Sequence, residues 1–419
     1  MRVRRFPAGT RADEIRALTP PPRDVEAEVR AVVDEVRAGG DSAVRALTER
    51  FDHAELGPEG LAVAPSEVDA AVATLEPGAL SGLRLAIENV RTVARAQLRA
   101  PVTVTLPAGH QVEIVESPVR RAAAYVPGGR AAYPSTVVMC AVTARVAGVD
   151  ELAVCAPPGP EGRAHPAILA ACGLCGVTEV YRMGGAQAIA ALAYGTESVK
   201  PVDVIVGPGN RWVTEAKRQV AGVVGIDGLA GPSELVVVAG SGADADLVAL
   251  DLLAQAEHGA DSLVVAVSPD RGILDRIGAG VELLSSERPS VAAETCALVE
   301  ARDARGAVRL ADELAPEHLQ LMGSEVETLA SSVRSAGALF VGRASGTAFG
   351  DYVAGSNHVL PTGGAARFAG ALSVSTFRRR MARISLPEGA AAQLSGPGAA
   401  LARAEGFPVH AESMERRSA

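Results

Sequence analysis

Apolar residues recur every three to four positions over 20–50 and again over 64–99, with charged residues between them, the spacing of amphipathic helices. From about residue 111 the texture changes to short apolar runs that end in glycine. RAAAYVPGG reads as a strand entering a turn, STVVMCAVTARVAGV as a helix, ELAVCAPPG as a strand and HPAILAACGLCGV as a helix. TEVYRMGG then reads as a strand, AQAIAALAYG as a helix and VDVIVGPGN as a strand. The alternation resumes after 230 with the strand SELVVVAGSG, the helix ADADLVALDLLAQAEHG capped by Asp244 or Asp246, and the strand DSLVVAVSPD. Pro316, in LAPEHLQL, fits the first turn of a helix. After about 378 the pattern weakens into a polar, alanine-rich tail. Strand–helix alternation of this kind predicts parallel sheets with crossover helices, here two Rossmann-like α/β domains with an N-terminal arm and a C-terminal tail. The expected division is an arm over 1–30, a first domain from 31–115 with 230–378, a second from 116–229, and the tail over 379–419.

Composition sharpens this picture. A chain of 419 residues, 48% of them hydrophobic, is long and apolar enough for sizeable cores. Only 3% are aromatic, which suits closely packed Ala, Val and Leu layers. The net charge of -9 and the lack of a long basic run argue against a nucleic-acid partner. The triplet Arg378-Arg379-Arg380 reads as a solvated helix face. No apolar run reaches the ~18–20 residues that span a bilayer. MRVRRFPAGTRADEIRAL has no apolar core of the kind a secretory leader needs, so the expectation is a cytoplasmic protein with no membrane partner. The five cysteines are odd in number and predict no disulfide framework. Cys172 and Cys175, in ILAACGLCGV, read as helix packing, and Cys140 and Cys155 as buried apolar positions.

Three glycine turns, YVPGGR at 125–130, MGGAQ at 183–187 and GPGN at 207–210, end strands of one expected sheet. Ligands bind at such strand C-terminal ends, and the amides of the helix after GPGN would attract phosphate. Trp212 stands where a dinucleotide fingerprint would have its third glycine, so the case for a nucleotide cleft rests on the three turns together.

In AQAEHG, Gln255 and His258 are three apart and share a helix face, while Glu257 points to solvent. FGDYVAGSNHVLPTGG holds Asp351, Asn357 and His358 between glycines. A mixed Gln, His and Asp set leaves room for substrate on a metal. Glu317 and His318 are neighbours that face different ways, which suits two different protons, one from an alcohol and one from a water.

The combination YVPGG, GGAQAIAALAYGTESV, VGPGN, VTEAKRQV, GPSE, QAEHG, PEHL, GDYVAGSNHVLPTGG and EGFPVH resembles the histidinol dehydrogenase family, in family order from about 120 to 410. The resemblance implies aldehyde-dehydrogenase-like architecture and a homodimer with swapped C-terminal tails. It implies oxidation of L-histidinol to L-histidine through L-histidinal, reducing two NAD, with one zinc per site. By motif, zinc would be held by Gln255, His258, Asp351 and a His410 from the partner chain. NAD would meet Tyr125, Gln187 and Asn210. Substrate would meet Ser233, Gln255, His258, His318, Asp351, His358, Glu405 and His410. His318, at an ordinary pKa of about 6.5, would take the hydroxyl proton and Glu317 would activate water. Two rival readings keep the metal: a sister dehydrogenase of another small polar alcohol such as a sulfonated diol, and a zinc hydrolase, which the glycine turns disfavour. Thr143-Ala144 departs from the proline-alanine pair usual in the family, at a helix expected to lie away from the site, and STFRRRMARISL is more basic than the resemblance predicts.

Overall fold

Runs such as ELVVVA and LVVAVS are buried along their whole length, which happens when helices cover both faces of a parallel sheet. The computed structural model describes all residues except 20–22, 58–59, 129–131, 292, 294 and 418–419; Gly129 and Arg130 of the first glycine turn therefore lie outside the described residues. The strands are β1 (Arg2–Phe6), β2 (Val102–Thr105), β3 (Gln111–Pro118), β4 (Arg121–Tyr125), β5 (Glu151–Ala156), β6 (Glu179–Arg182), β7 (Val204–Val206), β8 (Gly225–Ile226), β9 (Glu234–Ala239), β10 (Leu263–Ser268), β11 (Thr295–Glu300), β12 (His318–Met322), β13 (Ala338–Val341) and β14 (Arg378–Ser385). The larger sheet is parallel, in the order β1-β11-β10-β9-β12-β13. A smaller parallel sheet runs β6-β5-β4-β7-β8, and β14-β3-β2 form an antiparallel third. The two parallel sheets and their crossover helices bear out the expected α/β class. The antiparallel sheet lies outside that expectation.

Helices Ala245–Ala256 and Arg271–Ser286 cover one face of the larger sheet and Ala304–Leu314 the other. The short helix Ala12–Arg16 puts Ile15 into that core, while the helices of 26–96 pack elsewhere. Val29, Val33, Val36 and Leu47 of Glu26–Asp52 pack instead on Ile189 and Leu192 of Gly185–Tyr194. Leu83, Ile87 and Val90 of Pro77–Ala96 pack on Pro134–Ala147. Residues 26–96 thus join the smaller sheet, not 230–378 as expected. The expected arm also contributes β1, an edge strand in register with β11 from Arg2↔Thr295 to Phe6↔Val299.

Two further expectations are corrected. No helix starts at Pro316. The preceding helix stops at Leu314, Ala315 turns left-handed at φ 46, and His318 opens β12. A residue before proline is pushed out of the helical region, so the proline marks an end here. The Arg378-Arg379-Arg380 triplet lies in β14, not on a helix. Arg378 donates to the carbonyls of Ala147 (2.6 Å) and Glu116 (2.5 Å), which ties β14 to the smaller domain. The tail beyond is ordered as helices Glu388–Ala404 and Pro408–Glu415, closed on each other around Ala399, Ala402 and Ala411. No helix among the described residues is long and apolar enough to cross a membrane. All five cysteines are free.

Candidate active site

Parallel pairing of β9 with β12 puts His318 opposite Leu235 and brings the N-terminal ends of the two strands together. Ser233 and Glu317 therefore meet: Ser233 Oγ donates to Glu317 Oε2 at 2.6 Å, and the Glu234 amide donates to the same oxygen at 2.8 Å. Gln255, buried in the last turn of its helix, donates its amide to Ser233 Oγ. His318 is almost wholly buried. Its Nδ1 lies 3.1 Å from the Glu234 carbonyl and 3.6 Å from Glu317 Oε2. Its Nε2 lies 3.6 Å from Asp351 Oδ1. Asp351 sits on the short helix Thr347–Tyr352, and its carbonyl is 2.8 Å from His358 Nδ1. His258 follows the helix of Gln255, is exposed, and is close enough to Asp351 for its charge to help stabilise that carboxylate. The structure thus gathers Ser233, Gln255, His258, Glu317, His318, Asp351 and His358. Glu257 is exposed and accepts a hydrogen bond from Ser290, as its solvent-facing position predicts.

Burial opposes charge on His318, but the Glu317 and Asp351 carboxylates outweigh it and raise the imidazole to about 10. The ordinary value expected for this histidine is corrected accordingly. Burial likewise works against the Asp351 carboxylate, and His318 more than compensates, leaving it below its usual range. Burial pushes His358 down. A raised pKa means that the protonated His318 stabilises the fold fully below the ordinary histidine value, and that this contribution is lost as pH rises through about 10. Asp351→Asn removes one raising carboxylate. It is expected to draw the His318 titration down and to bring that loss of stability to lower pH, as histidine NMR in the presence of a chelator would measure. A His318 titration that stays put would contradict this electrostatic account.

The second group of residues lies at the C-terminal edge of the smaller sheet. Tyr125 ends β4 and Gln187 sits in the first turn of Gly185–Tyr194; both are almost wholly buried, at 3% and 1% exposure. The Gly185 amide donates to the Tyr125 hydroxyl at 3.2 Å, and Gln187 donates to Asp52 at 3.3 Å. Burial holds the Asp52 carboxyl up at about 6, with His53 working against the rise. Asn210 is exposed and caps the helix Arg211–Val220, accepting from the Trp212 and Val213 amides at 3.0 and 3.2 Å. Two of the amides expected to attract phosphate are therefore taken by the Asn210 side chain itself.

The two edges meet along one loop and one connection. His358 Nε2 is 3.0 Å from Thr136 Oγ1, at the start of the helix that follows β4. Asn357 donates to Met139 O at 3.0 Å and to Thr143 Oγ1 at 3.3 Å, so the departure at Thr143 does reach the loop that carries His358. The connection from β8 leads through Gly231, whose amide donates to Thr362 Oγ1, to Ser233. Glu234, Thr136, Lys217, Asp227 and Asp52 carry contacts that sequence reasoning did not assign. Glu234 and Lys217 stood inside the quoted GPSE and VTEAKRQV stretches without a role; Asp227 and Asp52 offered no local signal.

Glu405 and His410 are not brought to this cluster. They lie exposed on the C-terminal helical hairpin, where the His410 ring meets Phe407, ring centroids 5.3 Å apart. Among the described residues no three His, Cys, Asp or Glu side chains gather as a metal-holding group. Cys140 and Cys155 are fully buried and burial pushes both thiols up, Cys155 to about 12, which fits packing and not a thiolate nucleophile.

A family model described as histidinol dehydrogenase matches residues 19–418. Histidinol dehydrogenase of Gluconobacter oxydans is 43% identical over 401 residues, covering 94% of this chain and 93% of the relative. That of Cereibacter sphaeroides is 45% identical over 403 residues, covering 94% and 92%. The crystal structure of histidinol dehydrogenase from Elizabethkingia anophelis superposes with a TM-score of 0.92 at 31% identity, covering 100% of this chain and 98% of that one. Full-length agreement in sequence and fold, around a buried acid–base cluster, means that the chain belongs to the histidinol dehydrogenase family of oxidoreductases.

Proposed function

We propose that this chain oxidises L-histidinol to L-histidine through L-histidinal, in histidine biosynthesis, with two NAD and one zinc in each site. The observation that carries the reading is the row Ser233–Glu317–His318–Asp351, two carboxylates and an imidazole within reach of one another at one sheet edge. The fit to zinc rests on donor chemistry. The Gln255 amide oxygen, the His258 imidazole and the Asp351 carboxylate are nitrogen and oxygen donors that suit zinc and leave a position for substrate. The fourth donor in this reading is His410 of the partner subunit. Exposed Leu401, Phe407 and Val409 on the tail hairpin support a homodimer in which each tail reaches across. So does the apolar outer face of the third sheet, with Val102, Val104, Ile114 and Ile384. A cytoplasmic setting belongs to the same reading, in keeping with five free thiols.

Bound zinc supplies a Lewis acid that orients the substrate's imidazole and amine, and bound NAD accepts hydride. The chain's own groups handle the protons. With Asp351 committed to a cation, His318 loses one of the carboxylates that raise it and becomes a better base near neutrality. His318 takes the hydroxyl proton as hydride leaves the alcohol carbon. Glu317, oriented by Ser233 and the Glu234 amide, takes a proton from the water that adds to the aldehyde. A second hydride then leaves the hydrate and yields the carboxylate. Ser233, Gln255, His258, Asp351 and His358 line the substrate position, completed by Glu405 of the partner subunit and His410 of the partner subunit. Tyr125, Gln187 and Asn210 form the NAD edge.

NADH release from purified protein with L-histidinol and excess NAD tests the whole. The expected result is two NADH per histidinol, lost on chelation and restored by zinc. No NADH from protein shown to bind zinc and NAD would overturn the substrate and favour a sister alcohol.

A further inference from the structure

A buried ion pair lies behind the Gly207-Pro208-Gly209-Asn210 turn. Lys217 Nζ, on the helix Arg211–Val220, is 2.6 Å from Asp227 Oδ1, and the two side chains are only 3% and 7% exposed. Each also holds Gly207. Lys217 Nζ donates to the Gly207 carbonyl at 2.5 Å, and the Gly207 amide donates to Asp227 Oδ2 at 2.6 Å. Gly207 has φ +109, and a Cβ there would run into the Tyr125 carbonyl oxygen. The turn is therefore gripped by both backbone groups of the one residue whose conformation only glycine adopts easily. Thr214 of the same helix donates to the Ala230 carbonyl at 2.7 Å, which carries the grip on toward Ser233.

Stability alone does not account for such a pair. Two charges taken out of water are often no more stabilising than a well-packed apolar pair of the same size, and here both partners also hold Gly207 in one geometry. We propose that Lys217 and Asp227 are positioning residues that hold the Gly207–Asn210 turn in the conformation that receives NAD. The inference rests on the reading that NAD meets this turn at Asn210. The pair sets the spacing between Gly207, which closes on Tyr125, and the helix start that Asn210 caps.

Trp212 is the only tryptophan of the chain and stands two residues after Asn210, so its fluorescence reports on the turn directly. The decisive variant combines Lys217→Met with Asp227→Leu, which keeps the buried volume apolar and removes both bonds to Gly207. The expected result is a protein that still folds and binds histidinol, with a lowered thermal midpoint because the buried amide and carbonyl of Gly207 lose their partners. The KM for NAD should rise about tenfold while kcat at saturating NAD stays within about threefold, the mark of lost binding geometry and not of lost chemistry. Trp212 anisotropy should fall and acrylamide quenching rise without any NAD present. Should the double variant not fold, Asp227→Asn keeps the shape and one acceptor oxygen, and its KM for NAD should rise above the wild-type value with kcat little changed. An unchanged KM for NAD in the folded variant overturns the proposal. NAD titrated into the wild type gives the separate control. A Trp212 signal indifferent to NAD counts against NAD contact at this turn, while the NAD-free anisotropy still judges the pair's hold on it.

Discussion

Replacing His318 with glutamine is expected to lower kcat by about 10²–10⁴-fold, the usual range for removing a positioned general base. The substitution is mild for the fold. Glutamine is close in size, and its amide can donate to the Glu234 carbonyl that His318 Nδ1 now meets at 3.1 Å. What disappears is a buried imidazole between two carboxylates, 3.6 Å from each. No neighbour can take its place. Glu317 is committed to Ser233 and the Glu234 amide, and His358 is held by the Asp351 carbonyl and faces Thr136. The KM for histidinol should move far less than kcat, because His318 acts on the proton and not on the metal. Steady-state kinetics with histidinol would check this. A loss of less than tenfold would remove His318 from the role of base.

Glu317→Gln is expected to separate the two oxidations. Its carbonyl oxygen can still accept from Ser233 Oγ and the Glu234 amide, so the strand ends stay joined. The charge that raises His318 most is lost, which lowers the imidazole and leaves it able to take the alcohol proton. Hydration of the aldehyde loses its base and should slow by about 10²–10⁴-fold. The expected signature is one rapid NADH per histidinol, followed by a slow second and a build-up of aldehyde that a carbonyl trap captures. Two NADH at equal rates from this variant would sink the division of labour between Glu317 and His318. Removal of His318 should instead suppress the first NADH as well, so the two variants can be told apart in a single-turnover trace.

Much of the smaller sheet was legible because local chemistry and tertiary role coincide there. Each of its first strands ends in a glycine turn, and glycine is required: a Cβ at Gly184 would strike Pro157, and one at Gly207 the Tyr125 carbonyl. The larger sheet was legible as strands for the same reason, since LVVAVS and ELVVVA fit only a doubly covered interior. LAPEHLQL misled because its apolar spacing also suits a helix. The strand forms because LQLM fills the gap between β9 and β13, a partnership that no window of that stretch contains.

The residues proposed to do the chemistry were nameable from the order of short motifs, and that order also carried the family. Their arrangement was not. Generic reasoning places ligands at strand C-terminal ends, and Tyr125 and Gln187, proposed to meet NAD, do lie at such an edge. The acid–base cluster lies at the opposite end of the larger sheet, where Ser233 precedes β9 and Glu317 precedes β12. Only the pairing of two strands more than eighty residues apart joins them. The same holds for charge. Sequence by itself determined that His318 is a histidine beside a glutamate, with an ordinary titration. Folding brought a half-buried Asp351 to its other side and buried His318 and Glu317, and in low dielectric the two carboxylates raise the imidazole. Residue type and local spacing determined which elements form and which side chains can act. Long-range strand pairing and burial, which depend on partners far along the chain, decided where they meet and which protons they hold.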